Sequence, residues 1–596
     1  MSDLIKSNIF FVKLLYIITV IVITLILFNF SEAAAEEISA ESEPFEIWGQ
    51  STNRYIPQLE NLNLEEDIVT NKVLGDDSSN LEDVIKSDFN YSTNDTLGLY
   101  DELNGGFSSD IWKFSNFNDI DYLIKNLPTK SNNKGLLDLK LKSLLTIATP
   151  PIDIHKSKVN FLQLKLDHFK SVGDYNSILS ISELIEPENW DEDLVQSIIN
   201  LNLLKINYKS ICVNKTLDKI SSENLNLKIR AFCNAMSNNL PAIDLFVSLI
   251  IEEEFYDEEL VYILNSYLNE TDIDLNEIQN LDLYKLNLIN NKNIDFSEYI
   301  SDDSEIEIQL FYINSNAHSN TNKIYLAEKL LLRGIINSET LANIYEKYLI
   351  DNEIAIDIDF NDARSELEKR ALLYNQIRST SNQTDLISLA SSFVKNMANE
   401  NLLINSADLI YDKIKIITPK QEYKNHAPSV CLLLLLNNDF EQCQKWLDNL
   451  DFIKDAEITK AKINIYLSLK GNTGIINKES INLLLSSDSL SEKQKNILAK
   501  YSEIRHELKL LEYWKTGNEL NEIPTLVTNI KLAQYLNSVP QRNIGEMILL
   551  INLIHGKNSS SMLDQYSLFL ILESLNKLDP IYLDNFIFEY FVNNPI

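Results

Sequence analysis

What most constrains this chain is how little it contains to interrupt a helix. Its 596 residues include only 13 glycines and 13 prolines, about 2% each where about 7% and 5% are usual. No proline lies between Pro241 and Pro419. From about residue 108 onward, apolar residues recur at spacings of three and four in short segments, separated by clusters of Asn, Asp, Ser or Gly. This is the pattern of amphipathic helices joined by tight turns. Val159 to Phe169, Asn176 to Ile185, Glu192 to Ile206, Leu326 to Arg333 and Leu386 to Met397 all read this way. Strand-like alternation is confined to Ile354-Ala355-Ile356-Asp357-Ile358, which reads as a loop or a helix start.

A degenerate repeat runs through the pattern. Gly173-Asp174-Tyr175-Asn176 and Ile206-Asn207-Tyr208-Lys209 align with their tyrosines 33 positions apart, and Pro241-Ala242-Ile243 opens another helix 33 further on. Leu436-Asn437-Asn438-Asp439-Phe440 repeats the device downstream. A period near 33 or 34 is that of helix-turn-helix solenoid units of the tetratricopeptide kind. One hairpin cannot bury its own apolar stripe, so such units stack. The expected fold is therefore all-α: an α-solenoid of antiparallel helical hairpins over residues 108–596. Asn, Ile, Leu, Ser and Asp dominate the composition, which reads as the bias of an AT-rich genome.

Two segments precede the solenoid. Residues 1–35 have the layout of an export signal: Lys6 and Lys13, the apolar run Leu14 to Phe28, then small residues at a peptidase site ending at Ala33 or Ala35. The alternative is an uncleaved membrane anchor, because the run extends back toward Phe10 and approaches the roughly 20 residues that span a bilayer. Residues 36–107 read as an acidic disordered linker, with turn-forming Gly75-Asp76-Asp77-Ser78 and two apolar islands at Phe45 to Trp48 and Tyr55 to Leu59. Asn104-Gly105-Gly106-Phe107 marks the boundary with the body.

The charge balance excludes one class of partner. With 52 Lys plus Arg against 87 Asp plus Glu, the formal net charge is -35. A polyanion repels phosphate backbones, so no nucleic acid is expected, and any membrane contact is confined to the N-terminal segment if that is retained. The expected partner is a protein with a basic contacting surface.

Four cysteines in an exported chain imply disulfides. Cys431 and Cys443 lie at nearly equal distances on either side of the turn at Asn437-Asn438. Cys212 and Cys233 flank Ser221-Ser222-Glu223 in the same way, so each pair is expected to staple one hairpin. Zinc is not expected, since no two cysteines have C-x-x-C spacing.

No catalytic, metal or cofactor motif emerges. His155, His168, His318, His426, His506 and His555 are widely separated. His506-Glu507 begins like H-E-x-x-H, but Leu510 stands where the second imidazole is needed. Asp272-Ile273-Asp274-Leu275-Asn276 has the acid alternation of a calcium loop with Glu277 in place of the required glycine. Runs such as Glu252-Glu253-Glu254 read as solvated helix faces.

The segments Gly105 to Trp112, Leu330 to Ile336 with Thr340-Leu341-Ala342, and Arg370 to Tyr374 resemble a family of exported helical-repeat proteins of alphaproteobacteria. Cys212 and Cys233 fall where that family also carries a cysteine pair. The resemblance implies a bacterial envelope location and a solenoid, and it transfers no activity. Some members bear an antifreeze label, but the flat Thr or Ala arrays that ice binding needs are missing here. The expected function is a non-enzymatic periplasmic or envelope interaction scaffold. The alternative is an enzyme or enzyme subunit acting on an envelope glycan, which needs two converging carboxylates in one pocket.

Overall fold

Asn, Asp and Ser stand where many of the helices begin, and they hold the first turn. In the computed structural model, Asn133 accepts from the Leu136 amide, Asp191 from Leu194, Asp257 from Leu260, Asn320 from Lys323 and Ser365 from Glu368. Each side chain satisfies an amide that the helix itself leaves unpaired. The abundance of these residues, which suggested genome bias, thus has a structural use. The structure describes residues 93–593 apart from 128–132, 158, 187–189, 214–219, 221, 253–256, 449–456, 471–477, 507–542, 557–562 and 564. The signal segment 1–35, with Ala33 and Ala35, and residues 36–92 of the expected linker lie outside the described residues.

The other end of several helices repeats one turn. Gly173, Ile206, Asn238 and Asn438 all adopt positive φ, at 72°, 54°, 54° and 59°. The next amide in each case reaches back five residues: Asp174 to the Phe169 carbonyl at 2.8 Å, Asn207 to Asn202 at 2.8 Å, Asn239 to Asn234 at 3.0 Å and Asp439 to Leu434 at 2.9 Å. This is the Schellman closure of a helix C-terminus. With so few glycines, asparagine takes the left-handed position at 238, 293, 401 and 438, as its short polar side chain permits, and Asp153, Glu270 and Glu353 take it as well. Ile206 is the costly exception, because β-branching crowds that conformation.

Every regular element among the described residues is helical, and two isolated bridges, Tyr100 with Thr146 and Asn116 with Ile152, build no sheet. Consecutive helices pack side by side. Glu223–Met236 pairs with Leu240–Glu252, Thr321–Leu332 with Ser338–Asp351, Glu366–Ser379 with Gln383–Asn399, and Ala427–Leu436 with Phe440–Asp448. The architecture is all-α and solenoid-like. Between the layers lie Trp112, Tyr312, Tyr345, Tyr374 and Trp446, each under 2% exposed. One buried ion pair crosses the stack: Arg370 donates through Nε and Nη2 to Glu328 at 2.7 and 2.6 Å, and Tyr345 donates to the same carboxylate at 2.7 Å.

One expectation needs correction. Residues 93–107 are not linker, because they are tied to the body. Asp95 is 3% exposed and accepts from the Phe161 and Leu162 amides at 2.7 and 3.2 Å, capping helix Phe161–Ser171 from a distance. The buried Lys165 ammonium donates to the Leu97 carbonyl, and the Phe107 amide to Thr146 Oγ1. Acidity and turn content suggested disorder, yet a single acid can cap a helix far away in sequence.

The first and last helices of the described stack meet. Helices Phe117–Lys125 and Lys134–Leu144 pack on Ile544–Gly556, and Lys134–Leu144 also packs on Pro580–Asn593. Gly545 has to be glycine here, since a Cβ would lie 2.2 Å from the Trp112 ring. Glu589 accepts the Gly135 amide on both oxygens at 3.0 and 3.1 Å, and Lys142 donates to the Tyr582 hydroxyl at 3.2 Å. Asp584, 3% exposed at its side chain, is gripped by Arg505 through Nε and Nη2 at 3.0 and 2.7 Å and by Tyr501 at 2.8 Å. Helix Pro580–Asn593 also touches Gln383–Asn399 and Glu457–Lys470, so it links distant parts of the stack.

Candidate functional site

A groove of about 560 Å³ opens where two hairpin turns face each other. Gly173, Tyr175 and Asn176 supply one wall from the turn between Phe161–Ser171 and Tyr175–Ser182. Ile335, Ile336, Asn337 and Thr340 supply the opposite wall from the turn that begins Ser338–Asp351. The C-terminal turns of Glu192–Leu204 and Ile306–Asn314 complete it with Leu201, Leu204, Lys205, Leu310 and Asn314.

Local sequence explains each wall. Gly173 has φ +72° and a Cβ there would sit 2.9 Å from Ile306 Cγ1, so both the turn and the close helix approach exclude a side chain. Asn337 caps Ser338–Asp351, accepting from the Thr340 amide at 2.9 Å and its hydroxyl at 2.8 Å. Asn314 donates to the Leu204 carbonyl at 3.4 Å, tying two helix ends together. The side chains of Leu201, Leu204, Leu310, Ile335 and Ile336 are buried, so they form a floor and leave the rim to amides.

Behind the Tyr175 wall lies a polar network. The Tyr175 hydroxyl donates to Glu307, and Asn200 donates to both Glu307 oxygens at 3.3 and 3.4 Å. Gln196 in turn donates to Asn200 Oδ1 at 2.7 Å. Burial pushes the Glu307 carboxyl above the usual carboxylate range, and Lys170 only partly offsets this. The network fixes the Tyr175 ring as one side of the groove. Glycoside hydrolysis needs a second carboxyl opposite the first. The described lining holds carboxamides, one ammonium and hydroxyls, which are groups that hydrogen-bond a ligand.

The cysteines and histidines singled out by sequence are not at this groove. Cys212 and Cys233 are joined by a disulfide, as their spacing predicts, with Cα atoms 5.5 Å apart. Cys431 and Cys443 are both thiols, each 0% exposed, which corrects the expectation of a second staple. Level placement across a turn brings two cysteines together without deciding their redox state. His168 and His555 are core residues whose imidazoles burial pushes down, His555 to about 4. Among the described residues no group of His, Cys, Asp or Glu is arranged to hold a metal ion, and no helix is long and apolar enough to cross a membrane. The groove itself escaped sequence reasoning, although Gly173 drew attention through the repeat and Ile335-Ile336 through the family resemblance. What joins them is tertiary packing across some 160 positions of chain. No family model, no curated protein and no solved structure matches the chain.

Proposed function

We propose that the protein is a non-enzymatic interaction scaffold of the bacterial envelope, exported by its N-terminal segment and related to the exported helical-repeat family that its motifs resemble. The observation that carries this reading is the groove: three carboxamides, from Asn176, Asn314 and Asn337, ring a buried aliphatic floor. A carboxamide offers both a donor and an acceptor, the complement of an extended peptide's backbone. A volume near 560 Å³ suits a short segment inserted from a partner. The formal charge of -35 favours a partner whose surrounding surface is basic and steers its approach.

Gentle crosslinking in the host, followed by co-purification, names the partner. The expected result is a protein crosslinked to peptides from the stack, with an association rate that falls as salt rises. The Asn176→Ala and Thr340→Val variants are expected to weaken capture without unfolding the chain. Capture that is indifferent to salt and to both substitutions would refute the reading.

A further inference from the structure

We propose that Cys431 and Cys443 are a latent disulfide: a dithiol protected by burial in the folded protein and able to close into a second staple when its hairpin opens. Helices Ala427–Leu436 and Phe440–Asp448 form a tight antiparallel pair around the left-handed Asn438. The two cysteines face each other across that pair. Cys431 Sγ donates to the carbonyl oxygen of Cys443 itself at 3.1 Å, so the first sulfur already lies against the second residue.

Burial accounts for the survival of the thiols. Both cysteines are 0% exposed, and the hairpin is covered by Gln383–Asn399, Asp408–Ile414 and Glu457–Lys470. Thiolate is the reactive form. Desolvation first, then the neighbouring Cys443 thiol and the Asp448 carboxylate, all push the Cys431 thiol up. The folded hairpin therefore holds two inert thiols, whereas Cys212 and Cys233 are only half-buried and already bonded. Transient opening of the 427–448 hairpin removes the protection and restores ordinary thiol acidity.

The chemistry is thiol–disulfide exchange with a small disulfide such as oxidised glutathione. One cysteine thiolate attacks a glutathione sulfur, forming a mixed disulfide and releasing one glutathione thiolate. The second cysteine thiolate attacks the protein sulfur of that mixed disulfide, forming the Cys431–Cys443 bond and releasing the second glutathione. Two protein thiols are oxidised, one glutathione disulfide is reduced to two thiols, and the two protons pass to the released thiolates.

The full chain is incubated with oxidised glutathione, with and without sub-denaturing urea, then alkylated and mapped without reduction. The expected result without urea is that both cysteines resist oxidation and alkylation. With urea, a Cys431–Cys443 linked peptide accumulates and hydrogen exchange of the hairpin slows after the urea is removed. The Cys443→Ser variant is expected to stop at a glutathione adduct on Cys431 under the same conditions. Stable glutathione adducts on the unaltered chain, or rapid alkylation of the native thiols, would overturn the proposal.

Discussion

The hairpin turns and the meeting of the first and last helices of the described stack hold it together by different means. The recurring turn is a local device: a left-handed residue, an amide reaching back five positions and an N-cap within the next turn, as at Gly173-Asp174 and Asn438-Asp439. The junction of the ends instead joins residues some 440 to 450 positions apart, such as Lys142 with Tyr582 and Gly135 with Glu589. It also buries charge, whereas the turns are built mostly from neutral groups. Local devices close cheaply, because a short loop loses little entropy. The junction forms only after the whole stack is built, so it is expected to open first and to respond most to charge and pH.

The largest test is removal of Asp584, which anchors the junction's C-terminal helix 580–593 to helix Glu492–His506. Asp584→Ala leaves Arg505 and Tyr501 without the carboxylate they grip, and breaking such a buried pair costs about 3–5 kcal/mol. The expected outcome, read by hydrogen exchange, is loss of protection in 544–556 and 580–593 while 321–399 stays protected. Uniform loss across the stack would erase the distinction between turns and junction.

Gly545→Ala tests the same junction by shape alone. The added methyl must displace the Trp112 ring, an overpacking cost of about 1–3 kcal/mol. Urea unfolding followed by tryptophan fluorescence is expected to show an earlier transition for Trp112 than for Trp446.

Charge at the junction predicts a pH dependence. Burial pushes the Glu589 carboxyl up to about 7 from an ordinary 4.5, although the Gly135 amide and Lys470 favour its ionised form. A carboxyl raised on folding contributes its full stability below its unfolded pKa and loses it as pH rises through the folded value. Junction stability is therefore expected to fall between about pH 4.5 and pH 7. Glu589→Gln is expected to flatten that slope in hydrogen exchange of 134–144, and an unchanged slope would assign the titration elsewhere.

The smallest effect belongs to a turn and has the opposite sign. Ile206 occupies the left-handed position with φ 54°, a conformation that costs a β-branched residue about 1–2 kcal/mol. Ile206→Asn is expected to stabilise the chain by about 0.5–1 kcal/mol, the lost burial offsetting part of the relief. Destabilisation would show that packing of the half-buried Ile206 side chain outweighs its strain.

These same physical differences decided what could be read from sequence. The turn at Ile206-Asn207-Tyr208 was legible beside Gly173-Asp174-Tyr175 because its parts are consecutive. Helix positions were legible from spacing, and the Cys212–Cys233 bond from its relation to a turn. The junction was not, since nothing near Gly545 announces Trp112, and Glu589 looks like any acid on an apolar helix. The groove was hidden for the same reason, its walls lying at 173–176 and 335–340. Cys431 and Cys443 mark the limit of spacing arguments: level placement was read correctly, but spacing alone did not tell bonded from free thiols.

The central claim is that the two ends of the stack meet, and a distance measures it most directly. Spin labels on the exposed positions Tyr122→Cys and Ile581→Cys, in a chain with Cys431 and Cys443 replaced by serine, report it by pulsed electron resonance. With packed helix axes about 10 Å apart, the account predicts one narrow distribution within about 40 Å, unchanged on dilution. A broad distribution, or one centred on the order of 100 Å as an open stack of this many packed helices requires, would contradict it.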